Sequence, residues 1–222
     1  MGRSPITGQA EPAATLTADD LGPLVPRRGT PFSQALGVFW LRMMGWRVSG
    51  VAPMVPKAVF IGAPHTSNRD GFVAAATILA LRLRITVMAK AELFKGPLGA
   101  FFRWLDVMPV YRTGSNRGGQ IDQVVARFAE RESIYMGIAP EGTRHAAPEW
   151  KRGFYHMAVR AGVPIVPFIL DFGRKELRIT PVFHPTGDME ADMKALISRY
   201  QGVVPADPSR LSGPLREPGN AG

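Results

Sequence analysis

Of the four histidines in the chain, His65 stands in the stretch APHTSNRDG, between the apolar runs KAVFIG and FVAAATILAL. Asp70 follows five residues later. A histidine that removes a proton from a hydroxyl needs a carboxylate to fix its tautomer and to stabilise the imidazolium. Asp70 meets that need if residues 65–70 form the loop and first turn between a strand over 57–61 and a helix over 71–84. Ser67 or Asn68 then caps the helix, whose dipole favours the Asp70 charge. Three uses of His65 compete on these grounds: a satisfied core histidine, a metal ligand and a base. The metal use is weak, because no second histidine or acid stands three or four residues further on. The H-x4-D spacing alone also arises by chance.

A second constellation lies in IAPEGTRHAAPEWKRGFYHMA, residues 138–158, again after a strand-like run. Glu141, Gly142, Thr143 and Arg144 put a carboxylate, a glycine, a hydroxyl and a guanidinium into one tight turn. Gly142 permits close backbone approach. Arg144 offers a planar fork suited to phosphate, and Glu141 can accept from a substrate hydroxyl. Lys151 and Arg152 either extend this anion site or face solvent. Between the two constellations, VMPVYRTGSNRGG delivers Arg112 from the end of another strand. The chain has no cysteine, which removes disulfides, thiolate metal sites and a cysteine nucleophile and fits a reducing compartment.

The elements that carry these loops alternate in type. KAVFI, ITVMA, VMPVY, SIYMGIA, VPIVPFIL and ELRITPV read as strands, and 71–84, 97–105, 118–132, 150–161 and 188–200 read as helices. Such alternation predicts a single α/β domain, over residues 51–201, with a largely parallel central sheet flanked by helices. Chemistry in such sheets sits where strands run out into loops. Residues 1–30 and 202–222, rich in Pro and Gly without clear periodicity, are expected to be a flexible arm and a flexible tail. Residues 31–50 are almost wholly apolar and predict a helix ahead of the domain. From Pro31 to Trp46 it would reach only about 24 Å, short of a bilayer core. Its aromatics and flanking arginines suit a membrane interface better than a buried position.

With 222 residues the chain is long enough for one well-packed domain, and its net charge is +9. Residues 82–117 carry seven cations, among them Lys90 and Arg112, against Glu92 and Asp106. Such a field suits an anionic membrane surface, a phosphorylated substrate or a solvated basic face. The cations are not interleaved with stacking aromatics and no nucleic-acid reader motif is present, so nucleic acid is not the expected partner. No secretory signal or long apolar span is evident, which gives an expectation of a cytoplasmic, peripheral membrane protein.

Taken in order, PHTSNRDG, MPVYR, APEGTR and AGVPIVPF resemble four blocks of the glycerolipid acyltransferase family, of the 1-acylglycerol-3-phosphate acyltransferase type. They look like its H-x4-D motif, its phosphate-binding arginine strand, its E-G-T-R motif and its proline-bearing fourth block. AKAELF followed by GPLG resembles the linker after the first block. The resemblance covers about residues 57–172, and four ordered blocks are far more specific than one. It implies that His65 is the general base and Asp70 its orienter. It also implies that Glu141, Gly142 and Thr143 position the acceptor and that Arg112 and Arg144 hold its phosphate. Arg69, Lys90 and Lys151 are further anion-binding candidates.

The implied reaction moves a fatty acyl chain from a thioester of coenzyme A or acyl carrier protein to a glycerolipid hydroxyl. The first-choice acceptor is the lysophospholipid 1-acylglycerol-3-phosphate, giving phosphatidic acid. Glycerol 3-phosphate or another lipid-like alcohol is the alternative. No metal or redox cofactor is implied. This sequence departs from the family pattern at Arg69, at Asp106 and Val107, and at His145, Ala146 and Ala147, where relatives often carry an aromatic, a Gly-Gly pair and Ser-Arg. Two rivals remain on sequence grounds: a thioesterase in which His65 activates water, and a non-enzymatic lipid- or anion-binding protein.

Overall fold

After Lys57, the run AVFIGA carries no polar side chain, and every residue from Ala58 to Ala63 is buried. A strand this apolar must be covered on both faces, as in a parallel sheet under helices. In the computed structural model, which describes residues 15–90, 107–110 and 117–216, this run is the middle strand of a seven-stranded sheet. The strands are β1 (Arg47–Gly50), β2 (Lys57–Ala63), β3 (Ile85–Lys90), β4 (Met108–Val110), β5 (Ile134–Ile138), β6 (Ile165–Asp171) and β7 (Glu176–Ile179). Their order is β1-β7-β6-β2-β5-β3-β4, and only the β6–β7 pair is antiparallel. The helices are α1 (Pro31–Met43), α2 (Asn68–Ala80), α3 (Arg117–Glu130), α4 (Gly153–Ala161) and α5 (Met189–Ser198). The single α/β domain expected from the sequence is the architecture observed.

Successive side chains of a strand point to opposite faces. Val59, Ile61 and Ala63 therefore join one core with Val124 and Phe128 of α3, Phe154 and Met157 of α4, and Leu196 of α5. Ala58 and Phe60 join a second core with Leu41 of α1 and Val73, Ala76 and Ala80 of α2. The helix following β2 thus covers one face and the helix following its neighbour β5 covers the other. The crevice beyond the carboxyl ends of β2 and β5 is the switch point where α/β sheets bind ligands. His65 leaves β2 there and Glu141 leaves β5 there.

Three expectations of organisation are corrected. The apolar stretch 31–50 is not one helix: α1 stops at Met43, Gly45 turns with φ +71°, and 47–50 is the edge strand β1. Residues 15–30 are not a loose arm. Leu16, Leu21 and Val25 are buried, Leu16 N–H donates to Val48 O at 2.9 Å, and Arg28 N–H donates to Arg82 O at 2.9 Å. Nor are 202–216 a loose tail, since Val203 and Leu215 are core residues and Phe172 N–H donates to Val204 O at 2.8 Å. The packed unit therefore extends beyond 51–201 at both ends. Isolated apolar residues separated by Pro and Gly turns bury well but leave no period to read. Residues 1–14 and 217–222, and the helix expected over 97–105, lie outside the described residues.

α1 docks on α2 along a narrow stripe. A Cβ on Gly37 would meet Ala80 N at 2.4 Å and Ala76 O at 2.6 Å, so glycine is what lets the two helices approach. Leu41 is buried beside it. The opposite face is open: Phe32 is 78% exposed, Phe39 57% and Trp40 44%. Among the described residues no helix is long and apolar enough to cross a membrane.

Candidate active site

Ser67 is the N-cap of α2, and its hydroxyl accepts from Arg69 N–H at 3.1 Å. Asp70, at the third helical position, reaches back over the cap in a capping box. Its Oδ2 accepts from Thr66 N–H at 2.6 Å and Ser67 N–H at 2.7 Å, and its Oδ1 accepts from the Ser67 hydroxyl at 3.0 Å. The same Oδ2 lies 3.2 Å from His65 Nδ1. The local rule that starts the helix therefore also seats the carboxylate behind the imidazole. Burial opposes ionisation of Asp70, but hydrogen bonds from His65, Ser67 and Thr66 outweigh it and hold the carboxyl below the usual aspartate value. The Asp70 side chain is 2% exposed and that of His65 29%. With Nδ1–H directed to Asp70, the open edge of the ring presents Nε2 as a proton acceptor.

His65 lies where two cavities meet. One, about 300 Å³, is apolar and runs between α2 and the sheet past Ala74, Thr77, Ile78, Val87 and Phe168. Gly62, in its lining, makes room for the Phe168 ring, because a Cβ there would fall 2.1 Å from that ring. The other, about 460 Å³, is lined by Gly142, Thr143, Arg144 and Lys151 together with Gln120. His65, Met88, Gly137, Ile138 and Ala139 line both. A proton acceptor thus stands between a greasy recess and a cationic one.

Within the second loop the side chains are held by hydrogen bonds to the protein. The two carboxylate oxygens of Glu141 accept from the protein: Oε2 from His65 N–H at 2.7 Å and Oε1 from the Ser212 hydroxyl at 2.8 Å. Glu141 is buried, and these two hydrogen bonds tie it to the back of the His65 loop. Burial, the largest influence, pushes its carboxyl above the ordinary glutamate value against those hydrogen bonds. Gly142 N–H closes the turn onto Ala139 O at 3.0 Å. Its φ is +65° and a Cβ would strike the Lys151 side chain at 2.7 Å, so it supplies room for the lysine rather than a donor. Thr143 accepts from His145 N–H at 3.2 Å.

Arg144 and Lys151 stand in the polar cavity as anion binders would. Arg69 does not join them; its guanidinium stacks 5.1 Å over the Phe172 ring. Lys90 ends β3 at the same sheet edge, with its side chain outside the described residues, and Arg112 lies outside them altogether. Asp207 and Ser212 escaped the sequence reading, and they bond to Thr66, read as a small residue beside the imidazole, and to Trp150, read as packing. Thr66 is fully buried and its hydroxyl accepts from Asp207 N–H at 3.1 Å. Trp150 Nε1–H donates to Ser212 Oγ at 3.2 Å. Asp207 and Ser212 come from a segment with no motif or period to mark them.

With this geometry in hand, the chain compares with known proteins as follows. A family model described as Acyltransferase matches residues 47–171. The 1-acyl-sn-glycerol-3-phosphate acyltransferase alpha of Bos taurus is 29% identical over 136 residues, which is 53% of this chain and 47% of that protein. The beta enzyme of Homo sapiens is 33% identical over 90 residues, 39% of this chain and 32% of that one. The chain spans about half the length, or less, of these curated relatives. The crystal structure of the 1-acyl-sn-glycerophosphate (LPA) acyltransferase PlsC from Thermotoga maritima shares the fold, with a TM-score of 0.51 at 16% identity over 74% of this chain and 75% of that one.

Proposed function

The chain belongs to the acyltransferase family, and from that premise we propose that it acylates the free hydroxyl of 1-acylglycerol-3-phosphate to give phosphatidic acid. The observation that carries this reading is the position of His65 between an apolar cavity and a cationic one. An acyl thioester and a phosphorylated alcohol are the two kinds of reactant such a pair of recesses would take. The names of the relatives agree with it.

In the proposed step, His65 Nε2 takes the hydroxyl proton as the oxygen attacks the thioester carbonyl carbon. Asp70 holds the ring and stabilises the imidazolium that forms. The tetrahedral adduct collapses with cleavage of the C–S bond, and the imidazolium returns its proton to the departing sulfur. Arg144 and Lys151 would bind the acceptor phosphate, with Arg112 and Lys90 as further candidates from neighbouring strand ends. The acyl chain would lie in the recess under α2. The donor is an acyl thioester of coenzyme A or acyl carrier protein, and the chemistry needs no metal or redox cofactor.

Membrane attachment through α1 completes the proposal. Phe32, Phe39 and Trp40 face outward from a helix docked by its other side, and that arrangement suits an interfacial helix meeting an anionic bilayer.

The test is thiol release from long-chain acyl-coenzyme A, and from the acyl carrier protein thioester, with and without 1-acylglycerol-3-phosphate. Release that depends on the acceptor supports transfer. Equal release without acceptor would identify a thioesterase instead.

A further inference from the structure

Residues 203–215 lie beyond the family-matched stretch, yet they touch both motif loops. Asp207 N–H donates to Thr66 Oγ1 beside His65, and the Ser212 hydroxyl donates to Glu141 Oε1. Ser212 is itself fixed from two sides. Its Oγ accepts from Trp150 Nε1–H, and the next peptide is pinned where Gly213 N–H donates to Ala147 O at 2.8 Å. Gly213 has no room for a side chain, since a Cβ would meet Pro148 O at 2.5 Å. Glu141 in turn accepts from the backbone of His65. A continuous run of hydrogen bonds therefore leads from the Trp150 indole through Ser212 and Glu141 to the peptide that carries the base.

We propose that Ser212 is a positioning residue of the acyl-transfer site, whose hydroxyl fixes the Glu141 carboxylate and through it the backbone of His65. A carboxylate this deeply buried depends on each donor it has, because losing one leaves a desolvated oxygen without a partner. His65 and Asp70 are the ionisable neighbours felt at Glu141, and the buried Tyr200 phenol feels Glu141 in its turn. None of these relations replaces the Ser212 hydrogen bond at Oε1. Without it Glu141 is free to turn or to take up a proton, and the His65 loop loses its rear support. This idea rests on the acyl-transfer reading for its kinetic consequence alone.

The experiment follows the His65 backbone amide by ¹H–¹⁵N NMR across pH in the full chain, beside kcat and KM for acyl transfer. In the wild type that amide titrates with Glu141. In Ser212→Ala the midpoint moves up by about one pH unit, the size expected for a lost hydrogen bond to a charged oxygen. Over the same change kcat falls about tenfold with KM little altered. Ser212→Thr keeps the hydroxyl and the wild-type midpoint. In Glu141→Gln the Glu141 step disappears from the pH response of the amide, and adding Ser212→Ala costs little more. Melting temperatures report folding, and should the alanine variant not fold, Ser212→Cys, a weaker donor, decides by the same midpoint. An unchanged midpoint in a folded variant, or fully additive losses in the double variant, overturns the proposal. A wild-type chain with no transfer activity ends the acyl-transfer reading instead, while the amide midpoint still decides whether Ser212 governs Glu141.

Discussion

At the residue scale, the site is built from a helix start. The capping box of α2 needs a side-chain acceptor at its third position, and using aspartate there also places a carboxylate 3.2 Å from His65 Nδ1. Sequence reasoning reached this pair because i and i+5 are close only across a loop and first turn, and such a turn was legible from the strand before it and the helix after it. It could not reach the bonds that Glu141 makes to His65 and Ser212, because a carboxylate facing substrate and one facing the protein look alike in a string of letters. Asp70→Asn should lower kcat/KM by about 10²–10⁴, the range for impaired general-base catalysis. The same variant should be less stable than wild type in urea at pH 7. The folded Asp70 value is depressed, so its stabilising effect is complete above the unfolded aspartate value and is lost as the pH falls through the lower, folded one. The stability gap should therefore narrow as the pH is taken below about 4. A gap that stays constant down to pH 2 would contradict the assignment.

At the scale of elements, the helices divide the work. α2 walls the apolar cavity, and Ala74 is among the residues that line it. Ala74→Phe should fill part of the roughly 300 Å³ and shift preference toward shorter acyl donors, measured as kcat/KM over a series of chain lengths. A parallel loss at every length would argue that the chain lies elsewhere. α1 carries the open aromatic face. Phe39→Ser with Trp40→Ser should reduce binding to anionic vesicles by at least about tenfold, since each large apolar side chain is worth roughly 1.5–3 kcal/mol when buried. Activity on dispersed substrate should be kept. Vesicle binding equal to wild type would remove α1 from the membrane contact. The sequence announced α1 by its apolar run but hid where it stops, since Gly45 and the short strand β1 continue the same composition. The ends of the chain were harder still. Leu16, Val25 and Leu215 are buried singly, and Ser212 sits among Pro and Gly, so nothing periodic marked them as part of the fold.

At the scale of the whole molecule, a sheet with helices on both faces brings loops separated by some 76 residues into one crevice, as the His65–Glu141 hydrogen bond attests. The alternation of strand and helix was enough to foresee that crevice, because the topology of α/β sheets places it at the carboxyl ends of the strands. The chain as a whole carries a net charge of +9. Binding to vesicles with anionic headgroups should weaken as salt rises from about 0.1 M to 1 M, over which the screening length falls from roughly 10 Å to 3 Å. Salt-independent binding would show that the charge plays no part. The central claim, that His65 drives transfer of an acyl group to a phosphorylated glycerolipid, is tested most directly by identifying the product. Isotope-labelled 1-acylglycerol-3-phosphate and a single acyl thioester should yield labelled phosphatidic acid by mass spectrometry with the wild type, and at least about a hundredfold less with a folded His65→Ala variant. Labelled phosphatidic acid formed equally by both would contradict the account.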